Sequence, residues 1–202
     1  LLYAHTAPSC KSWDPAFAYE LSTIIEHGMH EMYQLNEDII YYIALYNDNH
    51  IHPEIPSHVK KEDILKGLYK YDTLNEISEN KIRLIGSGPI LNEVIQAANI
   101  LADEHNFNVE IMSATSYGQL YRDAKKLSNN EVSYIEECLG DDILTIAVSD
   151  NMCAIPELIC PWLGKNYKVL GTDGFGRSDT KENLRKYYGI DCNSIVKYVL
   201  YN

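Results

Sequence analysis

The clearest pattern of apolar and polar positions in this chain lies between residues 80 and 101. Ile82, Leu84 and Ile85 form a short apolar run, rich in β-branched residues, that is typical of a buried strand. It runs into the turn Gly86–Pro89, after which apolar residues recur at helical spacing as far as Leu101. A strand, a glycine turn and an amphipathic helix in this order predict the opening half of a βαβ unit.

The same alternation of strand-like and helix-like segments continues along the chain. Further strands are predicted at residues 67–72, 107–112, 143–148 and 167–170. Helices are predicted between them: two within residues 117–138, one over residues 152–163 that Pro156 and Pro161 restrict, and two more over 181–188 and 194–200. Strands that alternate with helices indicate an α/β domain with a mainly parallel sheet.

The first 47 residues show a different pattern. Asp14-Pro15 is typical of a helix start, and apolar residues from Phe17 to Met32 predict a helix of about five turns. Ile39–Tyr46 is apolar throughout, which predicts a strand buried on both faces. One helix and one strand do not make a domain. We therefore expect residues 1–47 to be the end of an upstream domain, and to be disordered, displaced or paired with another copy.

The polar stretch that follows divides the chain. Residues 48–66 contain Pro53 and Pro56 and are predicted to be a linker, which leaves residues 67–202 as the α/β domain.

Net charge narrows the class of binding partner, and cysteine spacing indicates the redox state of the thiols. The 202 residues carry a net charge of −12, which argues against a nucleic-acid backbone or an anionic membrane as partner. Five cysteines without CxxC spacing favour free thiols in the cytoplasm over a disulfide framework.

The sequence gives only weak evidence for two possible ligand sites. The Gly86–Pro89 turn could hold an anion at a helix start, but Leu91 stands where the dinucleotide fingerprint has its third glycine. The pairs His27/His30 and His50/His52 lack a cysteine or carboxylate set at zinc spacing. A plain strand-to-helix connection and ordinary surface histidines are the simpler interpretations.

The most informative loop follows the last predicted strand. Residues 171–185 hold three glycines within six positions, and Asp179 to Glu182 have the spacing of a capping box. Loops at the carboxyl edge of an open α/β sheet are where ligands or partners commonly meet the domain. The alternative is a well-capped strand-to-helix turn. Candidate residues near an active site or an interface are Gly171, Asp173, Phe175, Arg177, Ser178 and Asp179, with Ser87 and Gly88 in the earlier turn.

Three segments carry a resemblance to a known family. GTDGFGRSDTKENLRKYYGID, SWDPAFAYE and GSGPIL closely resemble the homodimeric, thiamin-dependent pyruvate dehydrogenases, the decarboxylating component of the bacterial complex. The resemblance runs collinearly from Leu1 to about Val199 and extends more distantly to the carboxyl-terminal domain of transketolases.

This resemblance implies a fold and a domain layout. Residues 67–202 would form a transketolase C-terminal-like domain of three layers, with a five-stranded, mostly parallel sheet in the order 1-3-2-4-5 and the first strand antiparallel. Residues 1–47 would supply a helix and a strand from the end of the pyrimidine-binding domain.

It also implies a function for the whole enzyme. That enzyme would decarboxylate pyruvate on thiamin diphosphate and Mg²⁺ and pass the acetyl unit to lipoyl groups of an acetyltransferase component. The family's cofactor and catalytic residues precede the position matching Leu1, so no catalytic, cofactor or metal residue is assigned here and no bound cofactor is expected. This chain would be inactive alone and would contact the other domains and a second subunit.

Three other functions remain open at this stage. One is the corresponding part of another transketolase-type enzyme, the second is a stand-alone α/β anion-binding domain, and the third is an oligomerisation module.

Overall fold

A computed structural model of the chain describes residues 1–47, 49–127 and 131–201. Residue 48 of the predicted linker and residues 128–130, between the two helices predicted within 117–138, lie outside the described residues. Among the helices that the model describes, none joins sufficient length to sufficient apolar character to cross a membrane.

The first 47 residues form a short two-stranded unit. Its elements are α1 (Leu2–His5), β1 (Cys10–Trp13), α2 (Ala18–Met29), a π-helical turn (His30–Gln34) and β2 (Ile40–Ile43). β1 and β2 are parallel and pair Cys10 with Ile40 through Trp13 with Ile43.

Several expectations for this unit are wrong. α2 begins at Ala18, and Asp14 does not cap it, because its carboxylate binds groups far away in the sequence. β2 is not buried on both faces: Ile40 and Tyr42, on one face, are 62% and 48% exposed, whereas Tyr41 and Ile43 on the other face are half-buried. The unit is not displaced, since Glu20 accepts a hydrogen bond from Ser113 and the Ser12 carbonyl accepts one from Ser116. Its pairing with another copy stays a prediction.

The remaining elements alternate between strand and helix as the sequence predicted. In chain order they are α3 (Lys61–Lys66), β3 (Tyr69–Leu74), β4 (Lys81–Gly86), α4 (Ile90–His105), β5 (Asn108–Ser113), α5 (Tyr117–Lys126), α6 (Tyr134–Leu139), β6 (Leu144–Val148), β7 (Tyr167–Leu170), α7 (Lys181–Tyr188) and α8 (Cys192–Tyr201). The helix predicted over residues 152–163 is a 3-10 helix, Pro156–Trp162, with Pro161 inside it. The stretch predicted as linker contains α3.

The five-stranded sheet confirms the predicted fold class. Its order is β3-β5-β4-β6-β7, which is 1-3-2-4-5 when the strands of this domain are counted along the chain. β3 is antiparallel to β5, and the other pairs are parallel. The β4 strand is central, and its residues Ile82 to Gly86 are buried.

Alternate residues of the central strands pack into two separate cores. Leu84 of β4 faces a core that α4 and α8 cover, and Val94 and Ile195 contribute to it. Ile85, the next residue, faces the opposite core, which α5, α6 and the 3-10 helix cover and to which Leu120 contributes. This side-chain alternation along β4 produces the three-layer arrangement of helix, sheet and helix.

Candidate functional site

The carboxyl edge of the parallel sheet is the part of this fold where functional residues are expected, and residues 1–47 lie across it. The main chain of Asp14 donates to the carbonyl of Thr115 after β5 at 2.8 Å and accepts from the amide of Gly88 after β4 at 3.1 Å. The Ser116 hydroxyl donates to the carbonyl of Ser12 at 2.6 Å. Much of this edge is therefore occupied by the chain itself.

The Asp14 side chain forms the centre of this contact. Its carboxylate accepts from the Tyr46 hydroxyl at 2.9 Å and from the side-chain amide of Asn151 at 3.1 Å. Asp14 is 4% exposed, and burial raises the pKa of its carboxyl from 3.8 to about 6, although hydrogen bonds from Tyr46 and Ser87 oppose the shift. Each of these donors is neutral, so the carboxylate joins separate loops without an ion pair.

Glu20 makes a second contact of the same kind. One of its carboxylate oxygens accepts from the Tyr69 hydroxyl of β3 at 2.5 Å and from the Ser113 hydroxyl of β5 at 2.6 Å. The other accepts from the backbone amides of Ala16 and Phe17, which directly precede α2. Glu20 is fully buried, and burial raises the pKa of its carboxyl against the hydrogen bonds from Ser113 and Tyr69. A buried carboxyl with all its oxygens bonded serves to hold elements together.

The Gly86–Pro89 turn is shaped for a carboxylate of the chain itself. Gly88 has φ +51°, and a Cβ placed there would lie 2.7 Å from a carboxylate oxygen of Asp14. The side chain of Asp14 therefore lies against the turn where the anion-binding alternative places a phosphate. A second negative group in this position would be repelled by Asp14 whenever that carboxyl is ionised.

The loop after β7 contacts Asn151, the residue whose side chain binds Asp14. The backbone carbonyl of Asn151 accepts from the amide of Thr172 at 3.0 Å. A Cβ at Gly171 would lie 2.7 Å from that carbonyl oxygen, so a side chain there would collide with the backbone. Asp173 accepts from the amide of Cys153 at 3.0 Å. Ser87, Gly88, Gly171 and Asp173 are thus gathered around the loop that follows β6.

The remaining residues of the loop after β7 extend toward α7. The Phe175 side chain is 96% exposed, and its carbonyl accepts from the Tyr188 hydroxyl at 2.8 Å. The Arg177 guanidinium lies 4.0 Å from the centre of the Tyr187 ring. Asp179 accepts from the amide of Thr180 at 2.7 Å and from the side chain of Asn183 at 2.8 Å, and Ser178 is exposed. These four residues contact α7 or solvent, not the Asp14 contact.

A cleft of about 430 Å³ lies between this loop and α7. Charges of both signs line it: Asp150, Arg177, Asp179, Lys181 and Arg185. Burial raises the pKa of Asp150, and the charge of Arg185 opposes that shift. Arg185 itself donates to Glu93 of α4 at 2.9 Å. The cleft can accommodate a small polar group or a partner side chain.

The histidine pairs do not form a metal centre. His27 lies 3.5 Å from Glu31, and His30 bonds to Gln34 at 2.7 Å. The rings of His50 and His52 are 4.4 Å apart. Across residues 1–47, 49–127 and 131–201 there is no group of three or more His, Cys, Asp or Glu side chains placed to hold a metal. All five cysteines are free thiols, as their spacing predicted.

Sequence reasoning missed the residues that organise this edge. Asp14 was interpreted as a helix cap, Glu20 was noted only as the last residue of the segment SWDPAFAYE, and Tyr46 and Asn151 carried no motif. The one available signal was the position of Ser149–Asn151 directly after β6, at the same edge as Ser87 and Gly171.

Two family models match different parts of this chain. Residues 67–191 match the family described as the transketolase-like TK C-terminal domain, and residues 1–53 match the pyruvate dehydrogenase E1 component middle domain. Pyruvate dehydrogenase E1 components from Pseudomonas aeruginosa and Mycobacterium tuberculosis are each 37% identical to this chain over 96% and 99% of its length. The Escherichia coli K12 protein of the same name is 38% identical over 95%. The chain spans 22–23% of the length of these relatives.

Solved structures agree on the fold. Transketolase from Campylobacter jejuni superposes on all of this chain with a TM-score of 0.69 at 17% identity, covering 27% of that protein. Transketolase from Leishmania mexicana gives a TM-score of 0.70 over 98% of this chain and 26% of its own, at 16% identity. The chain therefore belongs to the family that carries the transketolase-like TK C-terminal domain, and its resemblance to the pyruvate dehydrogenase E1 component is confirmed.

Proposed function

We propose that this chain is the carboxyl-terminal part of a pyruvate dehydrogenase that decarboxylates pyruvate on thiamin diphosphate and transfers the acetyl unit to lipoyl groups. One observation carries the proposal: relatives named pyruvate dehydrogenase E1 component are similar along 95–99% of the chain, across both family matches. The solved transketolases share the fold at 16–17% identity, so they do not favour sugar ketol transfer.

The proposed domain division is residues 1–47 as the end of the pyrimidine-binding domain, residues 48–66 as linker and residues 67–202 as the transketolase C-terminal-like domain. Two features support it. The family matches end at residue 53 and begin again at residue 67. The first 47 residues also form a separate β1-β2 sheet that meets the main sheet through Asp14 and Glu20.

The residues of this chain do not fit thiamin diphosphate and its magnesium. The described residues include no metal-binding set, and the Gly86–Pro89 turn faces the carboxylate of Asp14, which disfavours a diphosphate. We therefore derive no catalytic step from this chain. Its role in the proposed enzyme is to hold the pyrimidine-binding domain against the transketolase C-terminal-like domain, while the cofactor binds elsewhere in the longer protein.

Within this assignment, the loop Gly171–Asp179 faces the active-site side of the subunit or the second subunit. The exposure of Phe175 and the position of the loop at the carboxyl edge of the sheet support this placement. The other proposed partners are the remaining domains, the second subunit and the lipoyl acetyltransferase component, and the proposed location is the cytoplasm.

An assay of the full-length protein tests the function. We expect lipoyl-linked oxidation of pyruvate and no ketol transfer between sugars. We also expect no release of carbon dioxide from pyruvate by this 202-residue chain alone. Ketol transfer by the full-length protein, or carbon dioxide released by the chain alone, would contradict the proposal.

The placement of the loop needs its own test in the full-length enzyme. Asp173→Ala and Arg177→Ala should lower either turnover or the fraction of dimer, measured by steady-state kinetics and analytical ultracentrifugation. Lys165→Ala is a matched exposed control outside the loop. Unchanged turnover and unchanged dimerisation in both loop variants would exclude this role.

A further inference from the structure

A groove lined by basic side chains lies between α5, the end of α3 and the segment before β1. It has a volume of about 530 Å³, and its lining includes Pro8, Leu65 and Tyr121 as apolar groups. We call it the basic groove. Its cationic side chains are Lys11, Lys66, Arg122, Lys125 and Lys126.

The charge of the basic groove is opposite to that of the chain. It holds five of the chain's 17 Lys and Arg residues, and Asp123 is the one acidic residue of its described lining. Five positive charges less one negative charge leave +4 in a chain of net charge −12. A local reversal of this size creates a positive potential within reach of a mobile acidic group.

Part of that charge is neutralised within the protein. Lys11 forms an ion pair with Glu31 at 2.6 Å, and Lys66 lies 3.7 Å from Asp63. Arg122 donates to the carbonyls of His5 and Ala7, neutral groups that leave its charge in place. The groove therefore keeps a positive excess after its internal ion pairs are counted.

Lys125 and Lys126 supply most of that excess. Both are exposed, and among the residues that the structure describes no carboxylate lies within ion-pair distance of either. Lys125 lies 5.6 Å from the centre of the Tyr121 ring and 5.7 Å from that of Trp162, which orients its charge along the groove.

The helix dipole gives a structural explanation for three of these lysines. Cations in the last turn of a helix interact favourably with its dipole, which accounts for Lys125 and Lys126 of α5 and for Lys66 of α3 without a partner. It does not account for Lys11 of β1, which lines the same groove. Convergence from three elements indicates a surface for an external group.

We propose that the basic groove docks an acidic segment of a partner protein. An extended peptide matches a groove along α5, whose ten residues span about 15 Å. Its carboxylates would pair with Arg122, Lys125 and Lys126, while small apolar side chains would rest on Leu65 and Tyr121. RNA fits less well, because a chain of net charge −12 repels an extended polyanion beyond the groove.

The test measures binding of a labelled acidic peptide to the full-length native protein. The probe is a fluorescein-labelled peptide of alternating Glu and Ala, about eight residues and roughly 25 Å when extended. Fluorescence anisotropy at about 50 mM and 300 mM salt should show binding that weakens as the charges are screened. A Gln/Ala peptide of the same length serves as the uncharged probe.

The double variant Lys125→Glu/Lys126→Glu should weaken binding of the Glu/Ala peptide by about ten-fold or more. The control Lys165→Glu/Lys168→Glu makes the same change in net charge at exposed positions outside the groove, and should leave the affinity within about two-fold. Retained circular dichroism in both variants shows that the fold is intact.

Five results would overturn the proposal. Four are absence of binding at low salt, equal loss in the two double variants, equal binding of the Gln/Ala peptide, and tighter binding of an oligouridylate than of the acidic peptide. The fifth is displacement of the peptide by micromolar pyrophosphate, which would assign the groove to a small phosphate compound. The docking proposal does not depend on the proposed enzymatic function.

Discussion

The side-chain amide of Asn151 donates a hydrogen bond to the carboxylate of Asp14 at 3.1 Å, across 137 positions of the chain. The backbone carbonyl of the same asparagine accepts from the amide of Thr172 at 3.0 Å. Asn151, which follows β6, thus contacts both the first 47 residues and the loop that follows β7. Any change in how residues 1–47 lie on the sheet would act on that loop through Asn151.

Removal of the Asp14 carboxylate should break its hydrogen bonds with Tyr46 and Asn151 and so destabilise the protein. In Asp14→Ala the Tyr46 hydroxyl loses its acceptor and the Asn151 side-chain amide keeps only its longer bond to Ser149 at 3.4 Å, and an unsatisfied buried donor costs about 1–3 kcal/mol. We expect the free energy of unfolding in urea to fall by about 2–4 kcal/mol. Asp103→Ala, an exposed change on α4, should shift it by less than about 0.5 kcal/mol. Equal effects of the two substitutions would show that Asp14 has no role in holding the segment.

The raised pKa of Asp14 predicts a dependence on pH of defined sign. A carboxyl whose pKa is raised from 3.8 to about 6 on folding binds its proton more tightly in the folded protein. Its contribution to stability is therefore complete below about pH 4 and is lost as pH rises through about 6. Two pKa units correspond to up to about 3 kcal/mol.

The comparison with Asp14→Asn removes most of the contribution of Glu20, because Glu20 is buried and has a raised pKa in both proteins. The free energy of unfolding of the wild type, relative to Asp14→Asn, should fall by up to about 3 kcal/mol between pH 4 and pH 7. Urea titrations at four pH values measure it. A difference that stays constant over this range would mean that the Asp14 carboxyl titrates normally.

Gly88 should tolerate no side chain while Asp14 is present. A Cβ at this position meets a carboxylate oxygen of Asp14 at 2.7 Å and the ring of Tyr46 at 3.0 Å, and φ of +51° adds strain. Gly88→Ala should lower the melting temperature clearly, whereas Gly164→Ala, with no atom within 4 Å of its Cβ, should not.

A double variant tests whether the Asp14 carboxylate causes the loss of stability in Gly88→Ala. In Gly88→Ala/Asp14→Ala the carboxylate is absent, so the combined loss should be smaller than the sum of the two single losses. Strict additivity would indicate that backbone strain and the contact with the Tyr46 ring, not the Asp14 carboxylate, explain the effect of Gly88→Ala.

Local periodicity predicted the elements of the main domain well, because each strand and helix there presents a regular apolar face to one of two cores. Leu84 and Ile85 are adjacent yet belong to opposite cores, and this alternation is visible in the sequence. The strand order came from the family resemblance and not from the pattern itself. Apolar periodicity shows that a strand is buried but not which strands are its neighbours.

The carboxyl-edge contacts could not be predicted by the same means. Asp14-Pro15 has the local form of a helix start, and the residues that bind Asp14 lie 32 and 137 positions away. β1, with the sequence CKSW, has no alternation that marks it as a strand. Side chains that bind across such distances carry no short-range signal, so the fold is needed to bring them together.

Arg83 provides a final test, in the interior of the main sheet. It is 3% exposed and donates to Glu110 at 2.5 Å and to both carboxylate oxygens of Asp141 at 2.8 and 2.9 Å. Arg83→Ala removes a buried cation from two carboxylates whose side chains are 25% and 47% exposed, so water solvates them in part, and losing hydrogen bonds to charged groups costs about 1.5–3 kcal/mol. We expect a loss of that size in the free energy of unfolding.

The exposed pair of Lys61 and Glu26, at 2.7 Å, is the matched control for this experiment. Its side chains are 58% and 69% exposed, so water solvates both charges and Lys61→Ala should leave the free energy of unfolding nearly unchanged. Adding Glu110→Gln and Asp141→Asn to Arg83→Ala should recover part of the loss, because the uncompensated charges are then removed. If the three substitutions together are no more stable than Arg83→Ala alone, packing of the arginine stem, not its charge, stabilises β4.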